Sequence, residues 1–167
     1  TDKWGQLHVL VNNGGMAPYQ SYDEISVDDW DAVMETNGRG TFLLSRAALP
    51  LLRTAAERDP GCDRTIINLS SIAGQVGALK TGIHYAASKG AILAITRSLA
   101  RLLAAERIRV NAVTPGPVTS AITDKLTPEN RAQLASTIPL GAFGEAADVA
   151  WIISTLASPR AGFVTGA

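Results

Sequence analysis

The stretch TIINLSSIAGQVGALKTGIHYAASKGAILAITRSLARLLAAERIRVNAVTPG, Thr65 to Gly116, decides the fold. It opens on an apolar run, TIINLSS (Thr65–Ser71), that ends in small polar residues. It closes on another, IRVNAVTPG (Ile108–Gly116), stopped by a Pro-Gly pair. The runs lack the clean alternation of a half-buried strand, so both faces are expected to be covered, as in a parallel sheet. Between them, HYAASKGAILAITRSLARLLAAE has apolar residues at helical spacing and many Ala and Leu residues. Its small residues permit close helix approach. Strand, helix, strand in this order predicts a right-handed parallel crossover.

The pattern extends toward both ends. LHVLV (Leu7–Val11) is a third apolar run, ending at NNGG, and reads as a central strand. Ser26 precedes VDDWDAVMET with Asp29 three residues on, a variant of the capping box. TFLLSRAALPLLRTAAER predicts a helix that Pro50 kinks or leaves with an unpaired carbonyl. Thr127 followed by Pro128 reads as a cap and first helical position, and EAADVAWIISTLAS as a last helix. Trp30 and Trp151 are read as packing residues. Three strands are few for so much apolar helix surface. Residues 1–167 are therefore expected to form a single, partial Rossmann-like α/β domain, the second half of a larger doubly wound sheet. A compact three-strand domain is the alternative.

Composition excludes several classes. Apolar residues make up 46% of the 167 residues and charged residues 18%, as in a globular chain. Fifteen basic residues balance fifteen acidic ones, so no net field selects nucleic acid or an anionic membrane. No apolar run reaches the length of a membrane span. One cysteine, Cys62, excludes an internal disulfide and a thiolate metal cluster. It lies in a Pro-Gly loop with no histidine at a telling spacing, and no metal site is read from the sequence. These features fit a reducing, cytoplasmic setting.

Tyr85 and Lys89, four residues apart on a helix, share a face. A free phenol is a weak acid-base group at neutral pH, and a nearby ammonium favours its ionised form. Ser71, at a strand's C-terminal end, is placed to donate to a carbonyl oxygen as negative charge builds. NNGG (Asn12–Gly15) and NAVTPGPVTS (Asn111–Ser120) end the other two strands, the edge where open α/β sheets bind ligands. The alternatives are ordinary: a surface Tyr-Lys pair, a capping hydroxyl and two tight turns. His84, beside Tyr85 but without a second ligand, and His8, a strand residue, are read as structural.

Taken together, the motifs resemble the short-chain dehydrogenase/reductase family. LVNNGG is similar to its strand-four motif, ETNGRG places Asn37 at its helix asparagine, and INLSSIAG places Ser71 at its serine. YAASK supplies Tyr85 and Lys89, RVNAVTPGPVTS resembles the loop that meets the nicotinamide, and IPLGAFGEAADVAWIISTLAS with FVTGA resembles the C-terminal region. The resemblance implies a catalytic set of Ser71, Tyr85, Lys89 and Asn37. Asn37 would hold a water in a proton relay from Lys89. It implies NAD or NADP as cofactor, touched by Asn13, Gly15, Tyr85, Lys89, Pro115, Gly116, Val118 and Ser120. It implies a small carbonyl or alcohol substrate, foremost a 3-oxoacyl thioester, with a sugar or other secondary alcohol next. A homodimer or homotetramer is expected through the two long helices. A catalytically idle relative serving as a binding or scaffold piece remains the contrasting class. The sequence departs from the family pattern in holding no Gly-rich nucleotide fingerprint and no strand after FVTGA. Gly14 stands where alanine is usual, and Tyr85 follows Ser71 by fourteen positions, one more than is common, so the loop between them must bulge.

Overall fold

The computed structural model describes residues 3–78, 81–120 and 123–167. Leu79 and Lys80, in the loop expected to bulge, and Ala121 and Ile122 in the expected substrate loop lie outside the described residues. Three strands, β1 (Val9–Asn12), β2 (Arg64–Leu69) and β3 (Ile108–Val113), form one parallel sheet in the order β1-β2-β3. Its register pairs Asn12 with Asn68 and Ile66 with Val110. The crossovers are helical: α1 (Val27–Val33), a π-helical segment (Met34–Arg39) and α2 (Gly40–Arg58) join β1 to β2. The short α3 (Ala73–Val76) and long α4 (Ile83–Leu103) join β2 to β3. Two further helices follow, α5 (Pro128–Ser136) and α6 (Ala146–Ala157).

Strand periodicity sorts the core into two layers. Ile66 and Val110 face one way, packing with Ala48 and Leu52 of α2 and Ala100 and Leu103 of α4. Ile67, Leu69 and Val113 pack against Val149, Ile153 and Leu156 of α6 on the other side. Every residue of β2 is buried, as its unpatterned apolar run requires. β1 corrects the expectation of a central strand: among the described residues it lies at the edge, and Val11 is 39% exposed. The other edge is partly covered. Gly166 donates to the Val110 carbonyl and Ala112 to the Ala167 carbonyl, so the last residues lie alongside β3.

Local signals are met where the chain supplies its own partners. Ser26 accepts from the Asp29 amide at 3.1 Å while Asp29 accepts from the Ser26 amide, completing the box. Thr127 accepts from the Asn130 amide at 3.3 Å ahead of Pro128. α2 continues through Pro50, leaving the Arg46 carbonyl without its usual helical donor. Trp151 departs from expectation, being 66% exposed, whereas Trp30 is 37% exposed and largely covered. His8 precedes β1 by one residue rather than lying within it.

A polar layer crosses the apolar one just below the strand C-termini. Asn12 Nδ2 donates to Asn68 Oδ1 (2.8 Å) and to Ser45 Oγ on α2 (3.0 Å). Asn68 Nδ2 donates to Thr96 Oγ1 on α4 (2.8 Å), which donates in turn to the Ile92 carbonyl. Four elements are thus joined by buried side chains. Asn68→Leu strands an Asn12 donor without water and is expected to cost about 1–3 kcal/mol, read as a lowered urea midpoint at unchanged slope.

Candidate active site

The strand C-termini open into a cavity of about 690 Å³. Its wall includes Ser71, Tyr85 and Lys89, together with Asn13, Gly15, Pro115, Gly116, Val118 and Ser120. Nine of the ten site residues expected from the sequence therefore converge. The tenth, Asn37, stands behind the wall.

Lys89 is buried at the base of this group. Its Nζ donates to the Leu69 carbonyl at the end of β2 (2.7 Å) and lies 5.7 Å from the centre of the Tyr85 ring. Burial strips water from the ammonium and lowers its pKa from 10.5 to about 8. Ser70, the other hydroxyl at this strand end, donates to the Lys89 carbonyl (2.8 Å) and so serves the helix. Ser71 Oγ accepts from the Ala73 amide at 3.2 Å, and it faces the cavity. α3 approaches α4 so closely that a Cβ on Gly74 would stand 2.6 Å from the Lys89 carbonyl carbon. Only glycine leaves room there, and this contact holds the Ser71 turn against the Tyr-Lys helix.

The Asn37 side chain is fully engaged. Its Oδ1 accepts from the Met16 amide and its Nδ2 donates to the Met16 carbonyl, both at 2.9 Å, and to Ser88 Oγ at 2.8 Å. It mimics a strand partner for the loop after β1 and ties that loop to α4. A Cβ on Gly15 would lie 3.0 Å from Asn37 Oδ1 and 3.5 Å from Lys89 Nζ, so glycine lets the backbone pass close to both. The third strand end is fixed by backbone: Ile72 donates to the Pro115 carbonyl, and Thr119 donates to the Gly144 carbonyl, while Gly144 donates to that of Pro117. Thr123 Oγ1 holds Ser120 by accepting from its amide (2.8 Å).

The cavity also contains residues with no signal in the sequence. Tyr19, from the loop after β1, has its pKa raised, first by burial and then by the proximity of the Tyr85 phenol. Leu134 of α5 and Val149 and Ile153 of α6 give an apolar flank. His84, read as structural, is fully buried, with Nε2 3.0 Å from Gln20 Oε1, linking the same loop to the start of α4.

Residues 1–167 match the family profile described as enoyl-(acyl carrier protein) reductase. The chain belongs to the short-chain dehydrogenase/reductase family. It is 41% identical over 169 residues to 2-(S)-hydroxypropyl-CoM dehydrogenase 3 of Xanthobacter autotrophicus, a match covering 98% of this chain and 64% of that protein. It is 37% identical over 164 residues to the 3-oxoacyl-[acyl-carrier-protein] reductase FabG of Thermotoga maritima, covering 98% and 64%. It is 37% identical over 158 residues to (3R)-3-hydroxyacyl-CoA dehydrogenase of Homo sapiens, covering 95% and 58%. The chain thus spans less than two thirds of the length of these short-chain dehydrogenases/reductases. No helix among the described residues is long and apolar enough to cross a membrane.

The Lys89 shift has a consequence for stability. Below about pH 8 the ammonium is charged in both folded and unfolded chains, and its burial is a cost. Between about 8 and 10.5 the unfolded chain holds the proton and the folded one releases it, so Lys89 makes stability rise with pH across that window. Chemical denaturation across the window is expected to show this rise in the wild type relative to Lys89→Met, which lacks it.

Proposed function

We propose that the protein of which this chain is part is an NAD(P)-dependent oxidoreductase interconverting a carbonyl and a secondary alcohol. The single observation that carries this is the convergence of Ser71, Tyr85 and buried Lys89 on one largely apolar cavity at the strand C-termini. The chain's own residues fit the nicotinamide half of the cofactor. Gly15 gives close backbone approach beside Lys89, and nothing lies within 4 Å of a Cβ position on Gly116, so that backbone borders open space. When bound, NAD(P)H supplies the hydride that the carbonyl carbon accepts, leaving NAD(P)+.

Each residue then has a role in handling the oxygen. Ser71 donates to the substrate carbonyl and polarises it. Tyr85 gives its phenolic proton to the same oxygen as the hydride arrives, completing the alcohol, and takes the proton back in oxidation. The Lys89 ammonium stabilises the phenolate left behind, and its anchor on the Leu69 carbonyl fixes its position. With the Asn37 amide engaged, a relay water at this residue is assigned to its main-chain carbonyl, which already accepts from Thr41 Oγ1 (2.8 Å). Asn13 and the Pro115–Ser120 loop line the cofactor's side of the cavity. The apolar flank of Leu134, Val149 and Ile153 favours an acyl-like substrate over a sugar. Relatives named for 3-oxoacyl-carrier-protein, 3-hydroxyacyl-CoA and hydroxypropyl-CoM substrates support a carbonyl carried on a thiol handle, first a 3-oxoacyl thioester.

A homodimer or homotetramer is part of the same proposal. α2 exposes Phe42, Leu43 and Leu44, and α4 exposes Leu102, which is 71% accessible.

On full-length protein, Tyr85→Phe is expected to lower kcat for 3-oxoacyl thioester reduction by roughly 10²–10⁴-fold, followed by NAD(P)H absorbance. Ser71→Ala is expected to lose about 10²–10³-fold. Undiminished turnover in Tyr85→Phe removes the proposed acid. The kcat/KM profile for reduction is expected to fall above about pH 8, where Lys89 loses its charge; a profile flat through that range removes the ammonium from the mechanism.

A further inference from the structure

The opposite end of the sheet carries a second cluster of chemically capable side chains. His8 lies just before β1, and its carbonyl accepts from the Thr65 amide (2.9 Å) as the β1–β2 pairing begins. Asp59 ends α2 with φ −137° and ψ 78°, and the Cys62 amide donates to the Asp59 carbonyl (3.1 Å), closing a tight turn. Arg64 Nη1 donates to that same carbonyl (3.2 Å) and pins the turn to the start of β2. The turn thereby faces His8. One ligand atom from each of His8, Asp59 and Cys62 lies within 4.8 Å of the other two. His8 stands about fifty residues before Asp59 and Cys62 in sequence, which hid the cluster from any spacing motif.

Two observations point from this cluster to an ion. The first is the donor set. Imidazole, carboxylate and thiolate together suit a borderline divalent transition metal and ill suit magnesium or calcium. Bonds of about 2.0–2.3 Å in a tetrahedron place ligand atoms roughly 3.3–3.8 Å apart, so the cluster closes with side-chain adjustment alone. The second is an orphan: His8 Nε2 is buried and has no hydrogen-bond partner. A buried ring nitrogen without a partner is costly, and coordination through Nε2 would satisfy it. Cys62 is a free, half-buried thiol, and Asp59 is exposed and can turn toward it.

We propose that His8, Asp59 and Cys62 form a three-ligand site for a zinc-class divalent cation, with a fourth position left to solvent or an external ligand. Binding exchanges the thiol proton of Cys62 for the metal, releasing one proton when His8 is neutral. The carboxylate and thiolate charges offset those of the ion beside the Arg64 guanidinium. The site bridges the start of β1, the end of α2 and the turn into β2. It lies away from the strand C-termini, so it serves to clamp the sheet's underside and takes no part in the proposed hydride transfer.

The test uses untagged, metal-free, full-length protein titrated with Co²⁺ and read by absorption. Expected is a saturable 1:1 thiolate-to-cobalt charge-transfer band that Zn²⁺ displaces. Cys62→Ser should abolish the band. His8→Ala and Asp59→Asn should each weaken Co²⁺ affinity at least about 10-fold while retaining the band at high metal. Asp59 is exposed, so its substitution leaves the fold in place. Absence of the band in the wild type overturns the proposal. So does a band that survives Cys62→Ser, or one whose affinity is unchanged in both other variants. The readout is independent of NAD(P)H turnover, so it stands or falls apart from the proposed function.

Discussion

The hydrogen-bonded line Ser45–Asn12–Asn68–Thr96 is the constraint on which the rest of the structure depends. An apolar core of Ile, Val and Leu would tolerate sliding of one strand past its neighbour by small steps. The Asn12 donor on β1 and the Asn68 acceptor that meets it on β2 do not, because a slip parts two buried groups that have each other as partners. The same line reaches sideways into α2 and α4. It therefore fixes the height of both long helices against the sheet, immediately below the cavity floor.

That height is what sets the chemistry. α4 carries Tyr85 and Lys89 near its N-terminal end, and Thr96 lies two turns further on. With Thr96 held by Asn68, Lys89 arrives level with the last carbonyl of β2, and its ammonium finds Leu69. The cost of drying the ammonium appears as its lowered pKa. The contact of Gly74 with α4 then brings the Ser71 turn to the same level. Sheet register, helix height and proton-transfer geometry are three readings of one packing arrangement.

The sequence made the strand ends and the Tyr85–Lys89 face legible because both signals are local: a run that stops in small polar residues, and a four-residue spacing. Ser71 could be told from Ser70 through the family motif, and the geometry supplies the physical reason, since Ser70 is spent on the Lys89 carbonyl. Asn37 was visible as a residue but its partners were not. They include the backbone of Met16, twenty-one positions away, and no periodicity encodes that pairing. Tyr19 and the His8–Asp59–Cys62 cluster were hidden for the same reason. Trp151 failed differently: a large apolar side chain was read as a packing residue, whereas it is 66% exposed, so hydrophobicity alone misled.

The π-helical segment between α1 and α2 has a consequence for how this region can vary in length. A residue inserted into an α-helical ladder turns everything beyond it by about 100°. Met34–Arg39 accommodates such a mismatch, and within it Asn37 points inward to the loop after β1 while the helix continues on both sides. Removing one residue would give an unbroken α-helix with better local hydrogen bonding, yet would swing Asn37 away from Met16 or rotate α2 away from the sheet. Local comfort and the loop's support are in opposition here. Substitutions on the exposed side of the segment should be absorbed, whereas single-residue deletions and insertions should not, although the helix itself would welcome the deletion.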